Sequence, residues 1–158
     1  MSELTLIAEP GSSLVSITRD FRATPEQLLR AHTDPDLLSK WIGPGSKPFT
    51  VEHFDARHGG TWRYFDVRDN DEPVYFHGVF HNDPSVKTGV IQTFEYEGAP
   101  GDASIERVTF EDLGNGTTRL RATYAFLSVS YRDMLIEHGM EFGVAEGYRK
   151  LESLLETK

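Results

Sequence analysis

From about residue 49 to about residue 127 the chain is a succession of short runs with a two-residue period, broken by turn clusters. These clusters are Arg57-His58-Gly59-Gly60, Asp69-Asn70-Asp71-Glu72-Pro73, Asn82-Asp83-Pro84, Gly98-Ala99-Pro100-Gly101-Asp102 and Asn115-Gly116. Asn-Gly is the strongest short hairpin signal, because both turn positions favour a positive φ. The pattern predicts six antiparallel strands in a meander, at about 49–57, 61–69, 73–82, 87–97, 104–112 and 117–127. The C-terminal segment has a different period. Met140, Val144, Tyr148, Leu151 and Leu155 recur every three or four residues, and Ser130-x-x-Asp133 has the spacing of a capping box. One helix from about 131 to 156 would be about 39 Å long at 1.5 Å per residue. Its apolar stripe needs cover, and the largest surface available to supply it is the sheet. The expected class is therefore α+β, with a curved antiparallel sheet closing over a long C-terminal helix.

The first third completes this picture. Residues 13–22, "SLVSITRDFR", suit a first strand and bring the expected sheet to seven. Thr24-Pro25-Glu26-Gln27 combines an N-cap, a proline at the first helical position and a glutamine three residues after the cap. Asp34-Pro35-Asp36 repeats the cap and proline for a second short helix, ending near Trp41-Ile42-Gly43-Pro44. Residues 1–12 read as a loose lead-in, with Pro10-Gly11-Ser12 breaking any early element, and 13–158 as a single domain.

Composition narrows the function classes. The net charge of −9 on 158 residues comes without any clustered Lys/Arg run, which argues against nucleic acid and against an anionic membrane surface as partners. The absence of cysteine removes disulfides, thiolate nucleophiles and Cys-zinc sites. The start, "MSELTLIAEPG", lacks the basic and apolar regions of a signal peptide, and no apolar run approaches the ~18 residues of a membrane span. A cytoplasmic location is the expectation.

Familiar catalytic signatures are missing. There is no GxSxG elbow, and "GPGSKP" at 43–48 lacks the GxxxxGK[ST] pattern of a phosphate loop and carries two prolines, so it reads as a turn. His77 and His81 would share a strand face yet stand ~13 Å apart, too far for one ion. His138 has no HExxH partner, and the Asp69-Asn70-Asp71 run lacks the remaining ligands of a calcium loop. No metal and no cofactor are expected. Asp66 shares the parity of Trp62 and Tyr64, where neighbouring rings would raise its pKa, but a solvated strand end is the favoured reading.

Alternation separates two faces. One set is Trp62, Tyr64; Phe76, Gly78, Phe80; Gln92, Phe94, Tyr96; Val108, Phe110; Leu120, Ala122, Tyr124 and Phe126. The opposite set, with Arg63, His77, Glu95, Arg107, Arg119 and Arg121, is polar, so the first faces inward. A dry core would use Leu, Ile and Val. An inner face with phenols, an amide and an indole suits a cavity that holds an amphipathic ligand. For any single ring, packing in the core remains the simpler alternative.

Seven segments carry a resemblance: "WIGP" at 41–44, "GGTWRY" at 59–64, "FHGVF" at 76–80, "IQTFEYEG" at 91–98, "NGTTRL" at 115–120, "YRDMLIEHGMEFG" at 131–143 and "YRKLESLL" at 148–155. In this order and spacing the chain resembles the AHSA-type family (activator of heat shock protein 90 ATPase homologues) of the START-like, polyketide-cyclase/SRPBCC superfamily. The resemblance implies a helix-grip fold with a seven-stranded sheet, and a cavity between sheet and helix for lipids, polyketides or other hydrophobic molecules. It carries over no catalytic residue. The candidate ligand-binding set is then Trp41, Trp62, Tyr64, Phe76, Phe80, Gln92, Phe94, Tyr96, Phe110, Tyr124, Phe126, Met140, Val144 and Tyr148. The expected function is binding of a small apolar or aromatic molecule, with a link to stress response, and without catalysis. The alternative is a cyclase or hydrolase acting on a polyketide-like substrate through Asp66, His77 or a cavity tyrosine. A co-chaperone-like regulator is a more distant third, and a homodimer is left open.

Overall fold

The computed structural model describes residues 3–43, 45, 47–67 and 72–156. The expected turn at Asp69-Asn70-Asp71, and part of that at 43–48, lie outside the described residues. The strands are β1 (Thr5–Ile7), β2 (Leu14–Phe21), β3 (Thr50–Phe54), β4 (Thr61–Val67), β5 (Pro73–Val79), β6 (Val90–Tyr96), β7 (Ser104–Gly114) and β8 (Thr117–Phe126). The helices are α1 (Pro25–Thr33), α2 (Pro35–Trp41), α3 (Val129–Glu137) and α4 (Met140–Glu156). The strands form one curved, unclosed antiparallel sheet in the order β1-β2-β8-β7-β6-β5-β4-β3.

Two features correct the expectation. The sheet has eight strands rather than seven, because Thr5–Ile7, inside the segment read as a loose lead-in, pairs with β2 through Leu6↔Ile17. Three residues are too few to show a period, and only the neighbouring strand makes them a strand. The C-terminal helix is also divided. His138 caps α3, and Gly139 takes φ +95 before α4 begins, a left-handed conformation that glycine adopts without a Cβ clash. Moreover, α3 starts from Ser128, whose Oγ accepts the Tyr131 N–H at 3.1 Å, rather than from the expected box at Ser130.

The local signals elsewhere act as chemistry requires. The Thr24 hydroxyl accepts from Gln27 N (3.1 Å) and the Gln27 side chain accepts from Thr24 N (2.8 Å), closing the capping box of α1. Asp34 Oδ1 accepts from Asp36 N at 2.9 Å to start α2. Asn115 and Gly116 turn β7 into β8 with φ values of +57 and +75.

Non-local contacts close the molecule. β2 pairs with β8 along its whole length, from Leu14↔Ala125 to Phe21↔Thr118. On the inner side Val15, Ile17, Phe21, Leu120 and Ala122 meet Tyr148, Leu151 and Leu155 of α4 in the core. Arg19 also points inward, and its charge is met by Glu152 of α4 at 3.2 Å, both side chains being buried. The buried Arg132, in the first turn of α3, donates to the carbonyls of Glu9 (2.8 Å) and Leu14 (3.0 Å), fastening the N-terminal segment to that helix.

Candidate functional site

Strand register decides which inward side chains become neighbours. Val15, Tyr124, Glu106 and Gln92 are consecutive partners across β2, β8, β7 and β6, and Gln92 bridges to Phe80. A polar cluster therefore crosses the middle of an otherwise apolar face. Gln92 Nε2 donates to Glu106 Oε1 at 2.6 Å. The Tyr124 and Tyr148 phenols influence each other electrostatically, one from the sheet and one from α4. Tyr124 is the direct cross-strand partner of Glu106, and the charge of Glu106 also reaches the phenols of Tyr64 on β4 and Tyr148 on α4.

Electrostatics follow from enclosure. Burial disfavours the charged carboxylate and raises the Glu106 pKa to about 7, with the Gln92 hydrogen bond opposing in part. Near neutral pH this group can therefore either donate a proton or accept one. Burial, and then Glu106, push the Tyr64 and Tyr148 phenols up, and burial together with Tyr148 and Glu106 does the same to Tyr124. All three stay neutral hydroxyls at ordinary pH.

The aromatic wall lies beside this cluster. Trp62 stacks on Tyr64 with centroids 4.6 Å apart, and Phe94 lies 5.8 Å from Trp62. Phe76 bridges Tyr64 (5.9 Å), Phe94 (5.4 Å) and Tyr96 (5.7 Å). Gly78, the cross-strand partner of Trp62, makes room for the indole: a Cβ there would fall 2.6 Å from Trp62 Cζ2 and 2.0 Å from the Thr93 carbonyl.

The candidate residues divide into three groups. Trp41, Trp62, Tyr64, Phe80, Phe110, Phe126 and Tyr148 are buried in the packed core. Trp62 is only 1% exposed, and its buried indole N–H has no hydrogen-bond partner among the described residues. Trp41 belongs to the α1–α2 junction, where Nε1 donates to Ala31 O at 3.0 Å and the ring packs against His32. Phe76, Gln92, Phe94, Tyr124, Met140 and Val144 are half-buried, as is Glu106. Tyr96, 38% exposed, stands at the rim.

Two residues of chemical interest were not anticipated. Glu106 was legible as a charge at the inward parity of Val108 and Phe110 on β7. His32 is enclosed between Trp41 (4.9 Å) and Phe110 (5.4 Å), with Nδ1 2.7 Å from Leu28 O, and burial lowers its pKa to about 4. Its spacing of four from the buried Leu28 was the available signal.

Of the residues considered for catalysis, Tyr64, Tyr124 and Tyr148 belong to this cluster, whereas Asp66 and the histidines do not. His77 lies on the outer face, 2.8 Å from Glu97, which also takes two hydrogen bonds from Arg63 at 2.8 Å. His81 and His138 are exposed, and Asp66 sits near the end of β4 opposite Val74. Among the described residues no group of three His, Cys, Asp or Glu is placed to hold a metal ion. No helix among them is long and apolar enough to cross a membrane.

A curved antiparallel sheet gripping a long C-terminal helix, with two short helices after the strand at 14–21, is a helix-grip fold. Residues 22–156 match the family described as "Activator of Hsp90 ATPase homolog 1-like protein", and the chain belongs to that family. No curated protein sequence matches it. Among solved structures, a Rhodobacter sphaeroides protein is similar at 25% identity and a TM-score of 0.86, covering 99% of this chain and 100% of its own. An Arthrobacter aurescens protein is similar at 21% identity and a TM-score of 0.86, with coverage of 98% and 92%. A Mycobacterium smegmatis protein is 22% identical with a TM-score of 0.82, each chain being covered to 97%. The wider SRPBCC fold family is one known for ligand binding.

Proposed function

We propose that this protein binds a small amphipathic molecule, apolar or aromatic in its body, in a cavity between the inner face of the sheet and α4. One observation carries the reading. Phe76, Gln92, Phe94, Glu106 and Tyr124 share the inward parity of the sheet, and Phe76, Phe94 and Tyr124 pack on the same core as Met140 and Val144 of α4, yet all keep part of their surface accessible. A closed core would seal them, as it seals Val15, Ile17, Leu120 and Leu151. Apolar walls with a few convergent polar groups are the make-up of ligand pockets. In this reading Trp62 and Tyr64 form the rigid backing of the wall and the half-buried residues touch the ligand. The role is a binder or carrier within the cytoplasm, a link to stress response comes from the family resemblance, and neither nucleic acid nor membrane is a partner.

A second reading has its own support. A carboxyl held near pKa 7 at the inner face suits general acid–base catalysis, so a cyclase- or hydrolase-type activity would run through Glu106 rather than through Asp66 or His77.

Native mass spectrometry of freshly purified protein, together with titration of a hydrophobic fluorescent dye, tests the binding reading. Val144→Trp should fill the proposed space and abolish dye binding while the protein still melts cooperatively. Unchanged dye binding in that variant, with no co-purifying mass, would overturn it.

A further inference from the structure

The polar cluster has a property that an all-purpose hydrophobic pocket would lack, namely an acidic group without a cationic partner. Among the described residues no Lys, Arg or His pairs with Glu106; its hydrogen-bond donor is the neutral Gln92. Arg19 reaches Tyr148 from β2, but Glu152 of α4 takes its charge at 3.2 Å. His32, against Phe110 farther along β7, is held neutral by burial until about pH 4. Tyr124 is the cross-strand neighbour of the carboxyl, Tyr64 and Tyr148 feel its charge, and Trp62, Phe76 and Phe94 form one aromatic group with Tyr64.

A carboxyl surrounded by aromatic rings is the arrangement that recognises an organic cation. The ring faces attract positive charge, more strongly when water is excluded, and the carboxylate supplies the counter-ion. An anionic head group would instead meet Glu106 as a like charge in a low-dielectric site. A neutral head group gains one hydrogen bond and no ion pair. We propose that the occupant of this site is an amphipathic amine, its protonated nitrogen held by Glu106 among the tyrosines and its apolar body lying against Phe76, Phe94 and Met140. This inference rests on the ligand-binding reading above and adds the chemistry of the ligand's polar end.

Amine binding is coupled to a proton. An ammonium ligand needs Glu106 ionised, so binding expels the proton that the enclosed carboxyl holds below about pH 7. Gln92 and the three raised phenols do not titrate between pH 6 and 8, and neither does His32, so Glu106 is the group that sets the pH dependence there.

The test compares three probes of one shape, naphthylethylamine, naphthylethanol and naphthylacetate, by calorimetry on wild type and Glu106→Gln at about pH 6 and about pH 8. Gln keeps the shape of Glu106 and removes its charge. The expected result at the higher pH is amine binding at least roughly tenfold tighter than alcohol, with the acid weakest; a tenfold ratio is one unit on the pKa scale. The amine's advantage should shrink several-fold at the lower pH. In Glu106→Gln it should vanish at both, with alcohol affinity changed by less than about threefold. If alcohol or acid binds wild type as tightly as the amine, or if the variant keeps the preference, the amine inference is overturned and the ligand-binding reading stands. If no probe binds at all, the ligand-binding reading fails and this inference fails with it.

Discussion

Replacing Trp62 by phenylalanine should cost far less than replacing it by alanine, and the difference reports on one atom. The ring is 1% exposed, stacked on Tyr64 at 4.6 Å and flanked by Phe94 at 5.8 Å. Truncating such a ring to alanine removes most of these contacts and leaves a void, at a cost of about 3–5 kcal/mol. The indole N–H works in the other direction, because it is buried with no acceptor among the described residues. A buried unsatisfied donor destabilises by about 1–3 kcal/mol. Trp62→Phe deletes that donor along with roughly two carbons of apolar surface, whose burial is worth about 0.8 kcal/mol each. The two changes offset, and the expected net effect is within about 1 kcal/mol of zero. In a domain of this size 1 kcal/mol moves Tm by about 2–4 °C, so alanine should lower Tm by about 6–20 °C and phenylalanine by less than about 4 °C. Urea denaturation followed by far-UV circular dichroism, with equal m-values as the check on two-state behaviour, gives both numbers. A loss above about 2 kcal/mol for Trp62→Phe would show that the indole N–H has a partner in solution, and the reasoning from its isolation would fail.

Other expectations concern pH and packing. Glu106 has a folded pKa raised to about 7 from 4.5, so its contribution to stability declines as pH rises through that interval. His32 is lowered to about 4 from 6.5, so its contribution is lost as pH falls through that interval, and the two cancel where the intervals overlap. Glu106→Gln should therefore make Tm climb more steeply with pH between about pH 4.5 and 6.5 than it does in wild type, and parallel profiles for variant and wild type would count against the assignment. Arg132→Leu should release the carbonyls of Glu9 and Leu14; hydrogen exchange at β1 should speed by orders of magnitude while β7 and β8 stay protected, and equal loss across the sheet would contradict a local role. Gly78→Ala forces a Cβ to 2.0 Å from the Thr93 carbonyl and should destabilise by at least about 3 kcal/mol in chemical denaturation; a variant within about 1 kcal/mol of wild type would mean that β5 and β6 shift freely.

What the sequence determined by itself were features fixed by neighbours along the chain, although the Ser128 cap and the Gly139 break show that local signals were not all read correctly. The Thr24–Gln27 capping box, the Asp34-Pro35 start of α2, the Asn115-Gly116 turn and the alternation of Trp62 with Tyr64 each need no more than a few residues to specify their geometry. The helical spacing from Met140 to Leu155 likewise marks the face of α4 that meets the sheet. Tertiary structure decided the rest, because the deciding partner lies far away in sequence. Thr5–Ile7 becomes a strand through β2, and Arg132 of α3 reaches back across more than a hundred residues to Glu9 and Leu14. Parity could place Glu106 on the inner face, but only the register of β6, β7 and β8 sets it between Gln92 and Tyr124, and only α4 brings Tyr148 to it. Burial is likewise collective. It seals Trp62 while leaving Phe94 and Gln92 partly open, although all three share one face, since the depth of a side chain depends on what the opposite layer places over it.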